Sequence, residues 1–356
     1  MRALSPFIYF FSHSHHTPNM TSYPSSSSIS ITRHRYNQSI MSLAILATAG
    51  IIGASYMALR KQGYTPLEKE LLTLSDSRYL LDHTEMVTVR GHRLRVVNLP
   101  GKQPERPLLL FIHGLGGQAS QWEEQLKYFC DYASRVVALD LLGCGSSEVV
   151  TDWKSYDTAE LASDIEAVAK TLDTSKGIIA IGHSYGCLVS SILATRIQLK
   201  GLVMICCPRL HLDAKQKRGQ KMLPFIPDWL IDRGRRADRK GGLHSQSVNR
   251  FLGEEADEET RRRQLRWNLM SRTSVWKRFM SRARIPSPEI LSKISTNRVL
   301  IIGGSEDKMA PPSTMDIVQE HLQEAPTRLL IQGAGHMPMV TNTQQVNSAI
   351  QEFLFQ

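Results

Sequence analysis

Cysteine is scarce in this chain, and the few cysteines do not have the spacing of a metal site. Cys130, Cys144, Cys187, Cys206 and Cys207 are odd in number, and the last two are adjacent in an apolar run. They read as small apolar packing residues rather than a disulfide framework or a zinc site, and the chemistry that the other side chains suggest requires neither a metal nor a cofactor. Acidic charge is missing from the first 67 residues, which hold no Asp or Glu but carry Arg2, Arg33, Arg35, Arg60 and Lys61. The net charge of +10 comes without a recognised nucleic-acid-binding motif or a platform of interleaved aromatics, which argues against a nucleic-acid partner. What remains, 42% hydrophobic and 21% charged over 356 residues, is an ordinary globular composition.

The acid-free leader divides in two. Residues 1–40, with a serine run at 25–28, read as a disordered or targeting segment. Residues 41–59, MSLAILATAGIIGASYMAL, would extend roughly 28 Å as a helix, close to the thickness of a bilayer core. A single membrane anchor is expected there. Its Ala and Gly content, with Ser42, Thr48 and Ser55, leaves a cleaved or helical targeting segment as the alternative. The Arg- and Ser-containing leader resembles a mitochondrial presequence, with the endoplasmic reticulum as the second choice. Basic residues on both sides of the apolar run set no orientation, and the sequons at Asn19 and Asn37 read as chance matches.

From Met86 the pattern MVTVRGHRLRVV suggests a hairpin turning at Gly91-His92. Strands and helices then alternate, with strands predicted at 108–113, 135–140, 177–182, 201–206, 299–303 and 328–331. Helices are predicted at 121–132, 158–172, 184–197, 313–322 and 344–353. Near-continuous apolar strands separated by amphipathic helices imply an α/β fold, a mainly parallel sheet covered by helices on both faces. The core is expected in two parts, 84–207 and 297–356. Residues 208–296, helical in tone and strongly basic, interrupt it as a cap over the carboxyl ends of the strands, where sites in such sheets lie.

Within that pattern, IGHSYGCLVS places Ser184 between Gly182 and Gly186. A G-x-S-x-G match arises by chance in roughly one chain in ten of this length, but here an apolar strand precedes it and a helix follows. At such a sharp turn a serine hydroxyl projects above the sheet, and the flanking glycines avoid collision with the neighbouring strand and helix. A serine hydroxyl needs a general base, and the base a carboxylate to orient it. VLIIGGSEDKMAP places Asp307 just past one strand and LLIQGAGHMP places His336 just past the next, in the order Ser, Asp, His. Asp307 also reads as a helix cap ahead of Pro311-Pro312, Glu306 is the alternative acid, and His336 alone would read as a loop histidine. FIHGLGG, 111–117, supplies exposed backbone amides, and the N–H groups of Leu115 and Tyr185 are the expected oxyanion donors. His113 is expected to brace that loop, and DLLGCGSSE, 140–148, reads as a plain loop.

Together HGLGG, the D-x-x-G-x-G-S tract, GHSYG, G-x-x-D and GAGH resemble the α/β-hydrolase fold superfamily over about residues 84–356. With Trp122 shortly after FIHGLGG, the set is most similar to the abhydrolase-domain-containing branch. That resemblance implies a serine hydrolase acting on lipid or other esters, with a hydrophobic ester as substrate. Epoxide hydrolases and dehalogenases of this fold place Asp where Ser184 stands. Relatives credited with acyl transfer to lysophospholipids carry H-x-x-x-x-D, whereas the fifth residue after His336 is Thr341. Thioester, amide or carbon-carbon bond hydrolysis by the same residues stays open, as does a non-catalytic interaction protein on a hydrolase scaffold.

The excess charge lies in the expected cap, where residues 209–293 hold 21 Lys and Arg against 10 Asp and Glu. Asp257, Glu258 and Glu259 precede Arg261, Arg262 and Arg263 by four residues, the spacing of paired charges on a solvated helix face. In KMLPFIPDWLIDRGRR, Phe225 and Trp229 beside Arg233, Arg235 and Arg236 form a candidate substrate entrance lying on an anionic membrane surface. Ordinary core of the cap is the even alternative.

Overall fold

A computed structural model describes residues 63–253, 256–294, 296 and 298–355. The leader 1–40 and the candidate anchor 41–59 lie outside the described residues. Among those described, no helix is long and apolar enough to cross a membrane.

Eight strands form one sheet in the order β1-β2-β4-β3-β5-β6-β7-β8. They are β1 Thr84–Val89, β2 His92–Pro100, β3 Leu108–Ile112, β4 Arg135–Leu139, β5 Ile178–His183, β6 Gly201–Ile205, β7 Val299–Gly304 and β8 Thr327–Ile331. β1 and β2 pair antiparallel, β2 meets β4 antiparallel, and every later pairing is parallel. The central strands LLLFI, IIAIGH, GLVMI and VLIIGG are buried at every residue because helices cover both faces. Leu108, Leu110 and Ile112 feed one apolar cluster while Leu109 and Phe111 feed the other, as strand alternation requires.

The predicted elements form, with ends shifted by a few residues. The hairpin turns one residue earlier than expected, at Arg90-Gly91, both at positive φ, the mirror-image turn that matches strand twist. The expected helix at 121–132 is the 3-10 turn Ala119–Trp122 followed by Glu123–Phe129.

Between β6 and β7 the described residues form six α-helices: Ala214–Met222, Asp228–Asp238, Gln246–Leu252, Glu258–Met270, Thr273–Arg282 and Pro288–Leu291. Their arginines do not pair as the four-residue spacing suggested. Asp257 caps its helix at Thr260 N–H, Arg261 is buried and donates to the carbonyls of Leu243, Gly253 and Ala256, and Arg262 reaches Glu70. Arg263 lies 5.4 Å from the Trp267 ring centroid. Several partners lie outside the basic segment, for Arg239 pairs with Glu68, Arg266 with Asp76 and Arg282 with Asp157, while Arg250 pairs with Asp238 and Lys277 with Asp228 inside it.

Asp76 also faces Arg95 of β2 at 2.7 Å, and Arg95 stands 3.6 Å from Asp140. The Arg95 side chain is only 4% exposed, so Arg95→Met should destabilise by about 3–5 kcal/mol by leaving two buried carboxylates without it. Urea unfolding tests this, and a loss under about 1 kcal/mol would show that water replaces the guanidinium.

Candidate active site

β5 ends at His183, and Ser184 turns the chain at φ 51°, ψ −120° into the helix Tyr185–Ala194. A non-glycine residue at positive φ stores about 1–3 kcal/mol of strain and persists only where its surroundings enforce it. Here the Ser184 N–H donates to Ile205 O of β6 at 2.9 Å. A Cβ on Gly182 would stand 2.6 Å from Gly186 O, and one on Gly186 would overlap Ile112 O and approach His113 O to 2.8 Å. Both neighbours of Gly186 are backbone and cannot swing away. Gly186→Ala should therefore cost about 3 kcal/mol or more in thermal or urea unfolding; a neutral result would show that β3 and this helix can separate.

β5, β7 and β8 are parallel, so the loops after them open at one edge and bring distant residues together. His336 Nε2 lies 2.9 Å from Ser184 Oγ, and His336 Nδ1 lies 2.7 Å from Asp307 Oδ2. Asp307 Oδ1 accepts from the N–H groups of Met309 and Ala310 at 2.8 and 2.9 Å. One carboxylate thus both caps the following turn and faces the imidazole. Glu306 is exposed, and the carboxylate bonded to His336 is that of Asp307. Burial pushes the Asp307 carboxyl up, but the His336 imidazole and the two N–H groups outweigh it and hold it below the ordinary carboxylate range.

The loop after β3 carries Leu115. Among the described residues neither its N–H nor that of Tyr185 is taken by a backbone acceptor. His113 braces the loop: its Nδ1–H donates to Gly114 O at 2.7 Å, and Nε2 accepts from Leu141 N–H at 3.0 Å. The tract 140–148 is more than a plain loop. Asp140 is fully buried, accepts from Ala119 N–H at 2.6 Å and Ser146 N–H at 2.8 Å, and leaves no room for a Cβ on Gly145. It locks the loops after β3 and β4 together, a role that residue spacing alone does not reveal.

His183 also went unread in the sequence. Its Nε2–H donates to His336 O at 2.8 Å, fixing the loop that carries the imidazole. Burial and the neighbouring His336 push its pKa down to about 3. An unfolded chain accepts a proton here below about pH 6.5 and the folded one refuses it, so stability should fall as pH drops from about 6.5 toward 3, by up to about 1.4 kcal/mol per pH unit. Urea unfolding between pH 7 and 4 should show a slope that His183→Gln flattens; equal slopes would mean that His183 protonates in the folded protein.

Helices between β6 and β7 cover the site. The Phe251 ring lies 5.9 Å from His336, and Phe279 lies 5.5 Å from Tyr185. Trp267 donates to Ser120 at 3.1 Å, and Arg272 donates to Gly143 O at 2.8 Å. The hollow lined by Gly116, Gly143, Met270, Arg272 and Phe279 has room for about one water. The candidate entrance does not assemble as expected. Phe225 and Arg233 are exposed and Trp229 is half-buried, but Arg235 donates to Thr273 and to the carbonyls of Asn268 and Ser271, tying two helices together. Arg236 is half-buried, with Nε shut off from water. The Arg235 fork matches acceptors on two neighbouring helices at once, a placement that the apolar-and-basic pattern cannot show. Cys206, Asp307 and His336 form the one buried group of metal-ligand type among the described residues. Burial keeps the Cys206 thiol protonated, and the other two already bond each other.

A model of the alpha/beta hydrolase family matches residues 109–349. The chain is 27% identical over 196 residues to an abhydrolase domain-containing protein of Schizosaccharomyces pombe, covering 52% of this chain and 54% of that one. It is 37% identical over 100 residues to Protein ABHD8 of Homo sapiens, covering 28% and 22%. The chain therefore matches about half the length of the first relative and under a quarter of the second. Among solved structures, a thermophilic esterase from Thermogutta terrifontis superposes with a TM-score of 0.62 at 22% identity, over 76% of this chain and 97% of that one, a likeness of fold.

Proposed function

The chain belongs to the alpha/beta hydrolase family, and from that premise we propose that it is a serine hydrolase cleaving the carboxylic ester of a lipid or other hydrophobic substrate through an acyl-enzyme. One observation carries the reading: the unbroken chain Asp307 Oδ2, His336 Nδ1, His336 Nε2, Ser184 Oγ, at 2.7 and 2.9 Å, ending on a serine in strained backbone.

In this mechanism His336 donates from Nδ1 to the ionised Asp307, which leaves Nε2 as an acceptor facing the serine hydroxyl. Ser184 Oγ attacks the ester carbonyl carbon, and its proton passes to Nε2. The carbonyl oxygen becomes an oxyanion between the N–H groups of Leu115 and Tyr185, each such donor typically contributing about 3–4 kcal/mol in the transition state. When the tetrahedral adduct collapses, the carbon-oxygen bond to the alcohol breaks and Nε2–H protonates the departing oxygen. Water repeats the sequence on the acyl-enzyme, giving the acid and restoring Ser184. Phe251 and Phe279, placed beside His336 and Tyr185, support an apolar substrate over a charged one.

The test is labelling of the full chain by a fluorophosphonate, with hydrolysis of 4-nitrophenyl esters of increasing acyl length. Labelling that vanishes in Ser184→Ala, and turnover that rises with chain length before falling, are expected. A folded wild-type protein that neither labels nor turns over any ester would instead be a scaffold.

A further inference from the structure

We infer that the outer face of the helix Ala214–Met222, with the turn Leu223–Phe225 that follows, is a docking surface for an anionic lipid bilayer. The helix is two-sided. Gln216 and Leu223 are buried, and Gln220 donates to Met280 O at 3.0 Å and Ala283 O at 2.8 Å, so positions 216, 220 and 223 fasten it to the helix Thr273–Arg282. The opposite face presents Lys215, Lys217, Arg218 and Lys221, all exposed, around Met222 and Phe225. Phe225 is 78% exposed and Met222 53%, and Phe225 is the most exposed large apolar side chain among the described residues.

The cations here differ from several of those elsewhere between β6 and β7. Arg239, Arg262, Arg266 and Arg282 are each held by a carboxylate. Among the described residues no carboxylate pairs with Lys215, Lys217, Arg218 or Lys221, and the adjacent Asp213 is used as the helix cap, accepting from Gln216 N–H. A protruding aromatic at the end of a helix face whose cations have no carboxylate partner among the described residues is complementary to a bilayer: the ring enters the acyl boundary while long basic side chains reach phosphate or carboxylate headgroups. This helix takes the place that the sequence pattern gave to Arg235 and Arg236.

The surface is also close to the chemistry. Lys277 Nζ donates to Ile226 O at 3.1 Å, and two residues along the same helix Phe279 packs on Tyr185. The docking helix therefore lies one helix away from the residue that follows Ser184. Docking itself does not rest on the proposed ester chemistry, because it is read without turnover.

The experiment is amide hydrogen exchange on the full chain, free and with vesicles of phosphatidylcholine alone or with phosphatidylserine added. This readout is local, so membrane attachment through residues 1–62 does not mask it. Protection of 214–225 is expected only on the anionic vesicles and should disappear at 1 M salt, where the screening length is about 3 Å. Lys217→Glu with Lys221→Glu should lower that protection by roughly twentyfold or more, and Phe225→Ser by about tenfold. Fluorophosphonate labelling of Ser184 in each variant shows that the site stays folded. If labelling fails throughout while protection persists, the hydrolase reading fails and docking stands. Three outcomes would overturn docking: no protection on anionic vesicles, equal protection on neutral ones, or protection already present without vesicles, whether from residues 41–59 or from a second copy at high concentration.

Discussion

Ser184→Ala, His336→Ala and the double variant are expected to lose ester turnover to one common floor, each down by about 10⁵ to 10⁶-fold in kcat. In the proposed mechanism Ser184 Oγ and His336 Nε2, in contact at 2.9 Å, share a single proton path. Once either group is gone the other has nothing to give or receive, so the second substitution removes no further step. What survives comes from the Leu115 and Tyr185 N–H groups and from substrate binding, which neither variant touches. The measurement is kcat and KM on a soluble 4-nitrophenyl ester, with unfolding curves showing that each variant remains folded. A double variant slower than both singles by the product of their losses would mean that Ser184 and His336 act in separate steps.

Asp307→Asn should lower kcat by about 10⁴-fold with KM little changed. Asparagine keeps the carbonyl oxygen that accepts from Met309 and Ala310 N–H, so the loop stays in place. It then presents an NH₂ to His336 where Asp307 presents Oδ2. Two donors cannot face each other, so the imidazole flips tautomer and Nε2 carries the hydrogen that must come from Ser184. Glu306→Gln, at an exposed position, should stay within about twofold. If Glu306→Gln were the more damaging change, the acid would be misassigned. In wild type the depressed Asp307 carboxyl also sets a direction with pH: its contribution to stability is complete above the unfolded carboxylate value of about 3.9 and is lost as pH falls through the lower folded value.

The strands β3, β5, β6 and β7 were legible from the sequence because strands buried on both faces must be apolar at every position, and LLLFI or VLIIGG allows no other reading. Ser184 was legible because backbone geometry demands glycine on either side of it, and Asp307 and His336 because each follows a strand at once. Their ends shifted by a few residues because hydrogen bonding, rather than apolarity, terminates an element. The arginines were not legible. Arg235, Arg261 and Arg266 have the same chemistry as an exposed arginine, and only the position of a carbonyl or carboxylate up to 192 residues away in sequence decides that they turn inward. Asp140 and His183 are similar cases, since their partners Ala119 N–H and His336 O are brought to them by the sheet.

By itself the sequence determined the parallel sheet, the turn at Ser184 and the order of the three residues at its edge, because those follow from local sterics and from the period of apolar side chains. The tertiary structure alone decided which cations have no carboxylate partner at 214–225 among the described residues, and how closely Phe251 and Phe279 cover the site. These depend on where one segment stops against another. That is set by the summed packing of the whole core, and a side chain's own type carries no record of it.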